Sequence, residues 1–157
     1  MKRRGSAVWQ GGLSDGNGLV STESGTLANV RYSFNSRFGY FGSGKGSPDI
    51  GTNPEELIAA AHAACYSMAL SGELKKVGLT PDSLNTSATL TIEKLREGWT
   101  ITGVHLEVQA QIPGADQVAF ERAADLAKKG CPVSKALNVP VTIGTQLIST
   151  DTVGIAG

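Results

Sequence analysis

Cysteine is scarce in this chain, with two among 157 residues, and aromatic side chains make up only 6%. Two thiols cannot form a disulfide framework. A zinc site needs four ligands, and Cys65, Cys131, His62 and His105 are the entire stock of Cys and His, with neither CxxC nor HxxxH spacing. Neither a metal nor a cofactor is expected. An excess of charge is missing too: 14 Lys and Arg balance 14 Asp and Glu, for a formal net charge of zero. That excludes the basic footprint of a nucleic-acid binder. Long apolar runs are also absent. The best, between Leu57 and Leu70, is broken by His62 and Ser67 and offers about a dozen residues where a membrane span needs roughly 20. Met1 to Arg4 is basic, but Gly5 to Gln10 is no apolar core for a secretory signal. Gly42-x-Gly44-x-Gly46 follows no βαβ pattern, so no phosphate loop is read there. The expectation is one soluble, cytoplasmic domain over residues 1–157, with no membrane or nucleic-acid partner, whose thiols serve chemistry or are inert.

What is present is organised around Thr52 to Gly78. Asn53 can cap a helix, Pro54 suits its first position, and Glu55 and Glu56 favour the positive end of its dipole. Lys75 and Lys76 close it and Gly78 follows as a left-handed cap. Six alanines with Leu57, Ile58, Cys65, Met68 and Leu70 make it apolar nearly all round, the mark of a central helix. The spacing predicts a sheet on one side and another helix, a symmetry mate's among the options, on the other.

Before it, Gly5 to Gln10, Gly18 to Thr22 and Thr26 to Tyr32 read as short strands. Phe34 to Phe41 packs three Phe, one Tyr and one Arg into eight residues. It reads as an edge strand burying its rings or, alternatively, as the lining of a pocket for an apolar substrate. After the helix, Leu84 to Leu95 and Trp99 to Ile112 alternate and should pair antiparallel across Arg96-Glu97-Gly98. A helix from Asp116 to Lys129 shows Val118, Ala119, Ala123, Leu126 and Ala127 as its inner stripe. Cys131 to Leu137 makes a short helix, Val139 to Ile148 a last strand, and the tail after it should fray. The fold class is α+β.

Cys131 stands in the cap position before Pro132, near Lys128, Lys129 and Lys135, where N–H groups and positive charge favour a thiolate. Cys65, mid-helix among alanines, should keep its proton unless a cation reaches it, and Arg37 is a candidate. His62, one turn earlier, is either a base for Cys65 or a satisfied helix histidine. Ser67 and Ser134 have no recognisable nucleophile setting.

The stretches TNPEELIAAAHAACYSMAL around Cys65 and GCPVSKAL around Cys131, with VWQGG and VSTESG near the start, resemble the OsmC/Ohr family of osmotically inducible and organic hydroperoxide resistance proteins. The resemblance implies an OsmC-like α+β fold, with sheets wrapped around a long central helix in an intertwined homodimer and active sites at the subunit interface. It implies a cytoplasmic thiol peroxidase of organic hydroperoxides, less active on hydrogen peroxide, reduced by a dithiol of the lipoyl type. The family's peroxidatic position matches Cys65, its resolving position Cys131, and the carboxylate of its TNPE motif Glu55. The OsmC branch takes its arginine from an FNxRF-like segment, here Arg37. The Ohr branch takes it from the earlier glycine-rich turn, where this chain has Asp15-Gly16-Asn17-Gly18. The Gly39 to Ile50 stretch is longer than is usual for the branch.

Two tensions follow. Ten residues of helix, about 15 Å, with a phase difference of about 80°, separate Glu55 from Cys65. Glu55 must therefore bridge through Arg37 or serve the partner chain, and at least one of Arg37 and Glu55 is expected to act across the dimer. Local electrostatics would also choose Cys131 as the attacking thiol, whereas the family assigns attack to Cys65. The alternatives to an enzyme are a redox sensor or binder of an apolar ligand without turnover, and a structural dimer with inert thiols.

Overall fold

The computed structural model describes residues 1–39 and 51–148. The glycine-rich stretch after Gly39 and the tail after Ile148 lie outside the described residues, as do Tyr40 and Phe41. The chain divides into two compact units, Met1–Leu57 and Ile58–Gly157, and the division falls in the first turn of the long helix.

The first unit is an antiparallel sheet in the order β1-β2-β3, made of β1 (Gly5–Gln10), β2 (Asn17–Thr22) and β3 (Val30–Ser33). Trp9, Gly18 and Tyr32 lie side by side across it. The two rings meet 5.4 Å apart, and a Cβ on Gly18 would fall 2.5 Å from the Tyr32 ring. The glycine is therefore a packing requirement. β3 begins later than the expected Thr26 because the chain from Glu23 to Asn29 is turn and bend. Leu27 N–H donates to Thr22 Oγ1, and Asn29 adopts a left-handed φ of 53°.

The described part of the aromatic segment is not an edge strand. Phe34–Phe38 is a short helix, α1, because Ser33 and Ser36 cap it reciprocally: Ser36 N–H donates to Ser33 Oγ (3.0 Å) and Ser33 N–H to Ser36 Oγ (2.8 Å). Phe34 and Phe38, one turn apart, pair at 4.9 Å.

The long helix α2 covers Pro54–Lys76. Asn53 Oδ1 accepts from Glu56 N–H at 2.8 Å, as an N-cap should. At the other end Leu79 N–H reaches back to the Leu74 carbonyl and Gly78 has φ +78°, a Schellman ending. The helix is not buried all round. Its buried residues are His62, Tyr66, Leu70 and Leu74, one every four residues, while Ala60, Ala61, Ala64 and Met68 are exposed. The small residues form a face that none of the described residues covers.

The second sheet has the order β4-β5-β6, from β4 (Ser83–Leu95), β5 (Gly98–Gln111) and β6 (Val141–Leu147). β4 and β5 are antiparallel, with a bulge at Thr91 and Ile92, and β5 and β6 are parallel. A parallel neighbour requires a crossover. α3 (Gln117–Gly130) and α4 (Pro132–Leu137) supply it. Val104, Leu106, Val108 and Ala110 alternate to one face of β5 and are buried with Tyr66, Leu70 and Phe120 in the core.

The buried stripe of α3 is Phe120, Ala123, Ala124 and Ala127, whereas the expected members Val118 and Leu126 are 75% and 45% exposed. Phe120 sets this phase because it has the most apolar surface to hide. Phe120→Ala should cost about 3–5 kcal/mol in chemical denaturation. A loss below about 1 kcal/mol would mean that the ring does not anchor the helix.

Candidate active site

In the first unit, Arg37 and Glu55 meet. Arg37 Nε donates to both carboxylate oxygens of Glu55 at 3.0 Å, and Nη2 donates to Oε1 as well. The local sequence explains why they coincide. Thr52 N–H donates to the Arg31 carbonyl (2.9 Å), Ser36 Oγ donates to the Thr52 carbonyl (2.7 Å), and Asn53 Nδ2 donates to the Ser36 carbonyl (3.3 Å). Ser36 and Asn53, both buried, thus join α1 to the start of α2. Arg37 follows Ser36 and Glu55 follows Asn53 by two. The guanidinium also lies over the Phe38 ring, 4.9 Å from its centroid. Arg37 is 35% exposed and Glu55 15%, so the carboxylate holds from within and the cation keeps an open side. Glu55 and Arg37 thus pair within one chain.

In the second unit, the two thiols meet. Cys131 is fully buried and Cys65 half-buried against the same core. Both are free. Cys131 ends α3, its N–H donating to the Ala127 carbonyl at 2.8 Å, and begins α4 as its N-cap ahead of Pro132. Its sulfur makes no cap hydrogen bond of ordinary geometry. Burial alone would raise the Cys131 pKa. The N–H groups of Ser134 and Val133, the Ser134 hydroxyl and the Cys65 thiol outweigh it, and the net direction is down. For Cys65 burial also raises the pKa. The Val133 N–H opposes this, but donation toward Cys131 and the charge on that sulfur add to the rise. Within the chain, then, Cys131 is the easier thiolate and Cys65 the donor beside it.

His62 is not a base for Cys65. Its Nε2 lies 2.7 Å from Ser134 Oγ, on α4, and the ring is fully buried. Burial lowers its pKa and keeps it neutral at ordinary pH. Ser134, which had no recognisable setting in the sequence, stands between His62 and Cys131. Its one signal was spacing: it follows Cys131 by three residues, as N3 follows an N-cap.

Ser67 donates to the Ala63 carbonyl within its helix (2.9 Å) and lies 2.8 Å from Thr86 Oγ1, bonds that hold α2 on β4. Among the described residues no three His, Cys, Asp or Glu side chains gather as a metal site would, and no helix is long and apolar enough to cross a membrane.

The sequence model of OsmC-like proteins matches residues 44–146. Peroxiredoxin OsmC of Escherichia coli (strain K12) is 44% identical over 147 residues, which span 94% of this chain and 97% of that protein. The organic hydroperoxide resistance protein of Xanthomonas axonopodis pv. citri (strain 306) is 31% identical over 101 residues, 62% of this chain and 69% of the relative. The crystal structure of the organic hydroperoxide resistance protein OhrB of Bacillus subtilis matches with a TM-score of 0.66 at 25% identity, covering 92% of this chain and 98% of that one. The α+β architecture, the paired thiols and these likenesses agree, and the chain belongs to the OsmC-like protein family.

Proposed function

We infer that this chain is a cysteine-based peroxidase that reduces organic hydroperoxides in stress defence, with Cys65 attacking and Cys131 resolving. The observation that carries the reading is the adjacency of a half-buried thiol and a fully buried one, near enough for the first to hydrogen-bond the second. The Cys65 sulfur attacks the terminal oxygen of the hydroperoxide. The O–O bond breaks, the alkoxide leaves and takes up a proton as the alcohol, and Cys65 is left as a sulfenic acid. Cys131 then attacks that sulfur, a Cys65–Cys131 disulfide forms, and hydroxide departs to become water. A dithiol reductant, of lipoyl type by family resemblance, restores both thiols by exchange and is itself oxidised to a disulfide.

The pair favours the proton on Cys65, so attack needs a cation to reverse that preference. Arg37, oriented by Glu55, supplies it and stabilises the negative charge that develops on the leaving oxygen. The site is assembled across a homodimer, with Arg37 of one subunit serving Cys65 of the other. Two uncovered surfaces support a second copy. One is the exposed small-residue face of α2. The other is a cavity of about 820 Å³ on the first sheet, lined in part by Ala7, Val8, Leu19 and Tyr32. Residues 1–157 act as one domain in this reading, in the cytoplasm.

Purified protein given cumene hydroperoxide and dihydrolipoamide should consume the peroxide over many cycles, and should sediment at twice its 16.3 kDa chain mass. No turnover with any dithiol would overturn the enzymatic reading. A monomer that turns over would overturn the shared site.

A further inference from the structure

His62 and Ser134 take no part in the steps above, yet they make a short, part-buried polar contact beside the thiol pair, with the imidazole ring itself fully buried. Ser134 is the third residue of α4, and a side chain there reaches back toward the N-cap, which is Cys131. A hydroxyl carries one hydrogen. The 2.7 Å contact with His62 Nε2 takes either that hydrogen or a ring N–H. The neutral ring has one hydrogen to place, and placing it on Nε2 leaves Nδ1 as a bare lone pair. Nδ1 is the buried side-chain atom without a partner among the described residues. A buried lone pair is less costly to leave unpaired than a buried N–H. The tautomer follows, with Nε2–H donating to Oγ, and it leaves the hydroxyl hydrogen free to turn toward Cys131, the N-cap three residues earlier.

We propose that His62 and Ser134 are positioning residues for the second half of the reaction, the ring N–H fixing the serine hydroxyl so that it points at Cys131 when that sulfur attacks the oxidised Cys65. The step balances: Cys131 releases its thiol proton, its sulfur forms the S–S bond, the S–O bond of the sulfenic acid breaks, and the departing hydroxide takes up a proton and leaves as water. The peroxide has already supplied the oxidising equivalents. The hydroxyl does not favour peroxide attack, because there the proton of the pair must move onto Cys131. It acts after Cys65 has been oxidised, when Cys131 must give that proton up. This inference rests on the Cys65–Cys131 reading.

The test is a single-turnover measurement on the whole protein, with one equivalent of cumene hydroperoxide and no reductant. Peroxide loss and disulfide formation are timed separately by quenched mass spectrometry. A hydrogen bond to a charged acceptor shifts ionisation about tenfold, and the lower nucleophilicity of a more acidic thiol returns part of it. In Ser134→Ala the ratio of the disulfide-forming rate to the peroxide-attack rate should therefore fall about fivefold, with more Cys65 found as sulfinic acid. Ser134→Thr, which keeps the hydroxyl, should restore the ratio, and His62→Gln, which keeps an amide donor, should fall between. A wild-type ratio in Ser134→Ala, or equal loss in Ser134→Thr, would overturn the proposal. A wild-type chain that consumes peroxide without ever forming the disulfide would instead overturn the thiol-pair reading beneath it.

Discussion

Cys65→Ser should lower hydroperoxide turnover at least about a thousandfold, while Cys131→Ser should still consume one equivalent per subunit and then stop. The expectation needs defence, because the chain's own electrostatics point the other way. Cys131 sits at a helix start among donors and has the lowered pKa, whereas burial and its neighbour raise that of Cys65. Ionisation is not the only requirement of a nucleophile. Cys131 is fully buried, and a hydroperoxide with an alkyl group cannot reach its sulfur. Cys65 is only half-buried and is the more accessible of the two. A buried, easily ionised thiol suits an attack on a sulfur already next to it, and a reachable thiol suits a substrate arriving from outside. In Cys131→Ser the sulfenic acid has no resolving partner and should be trapped or carried on to sulfinic acid. Residual peroxide can be assayed colorimetrically and the trapped species weighed. If Cys65→Ser instead gave the single equivalent and Cys131→Ser gave nothing, the roles would be reversed.

The second large effect is expected at Arg37. Arg37→Lys preserves the charge but not the fork that meets Glu55 through Nε and Nη2. An ammonium cannot be held in the same plane by one carboxylate. If the guanidinium stabilises charge on the departing oxygen, kcat/KM should fall about 10²- to 10³-fold. Glu55→Gln should fall less, about tenfold, because the cation remains and only its orientation loosens. Steady-state kinetics on variants with unchanged melting behaviour would check both. Arg37→Lys within about threefold of wild type would remove the guanidinium from the reaction.

The sequence was most readable where the signals are local. The bounds of α2 follow from Asn53, Pro54 and Gly78, and the β4–β5 hairpin from strict alternation about Glu97-Gly98. It was misleading where a local signal has two solutions. Phe34 to Phe38 has the rings of a strand, and only the Ser33–Ser36 pair, an unusual capping box without Glu or Gln, makes it a helix. On α3, Val118 and Leu126 looked like the inner stripe until the bulk of Phe120 fixed the phase. The pairing of Arg37 with Glu55 rests on Ser36 and Asn53, whose contacts join two segments that sequence spacing alone does not connect. The His62–Ser134 contact was not readable at all, since 72 residues separate the two side chains and only the closed fold joins them.

The parallel pairing of β5 and β6 bears on the order in which the chain is made. Cys131 lies on the crossover between those strands, so its place beside Cys65 is secured only when β6, the later of the two, has docked. Such non-local pairings form late. On a ribosome, Cys65 emerges long before that moment. In the proposed mechanism it is, until then, a thiol without a rescuer: a peroxide that oxidises it leaves a sulfenic acid with nothing adjacent to capture it, one further oxidation from an irreversible sulfinic acid. Under oxidative stress, half-made copies of this chain would be its most vulnerable form, and a cell would protect the activity better by finishing molecules already begun than by starting new ones.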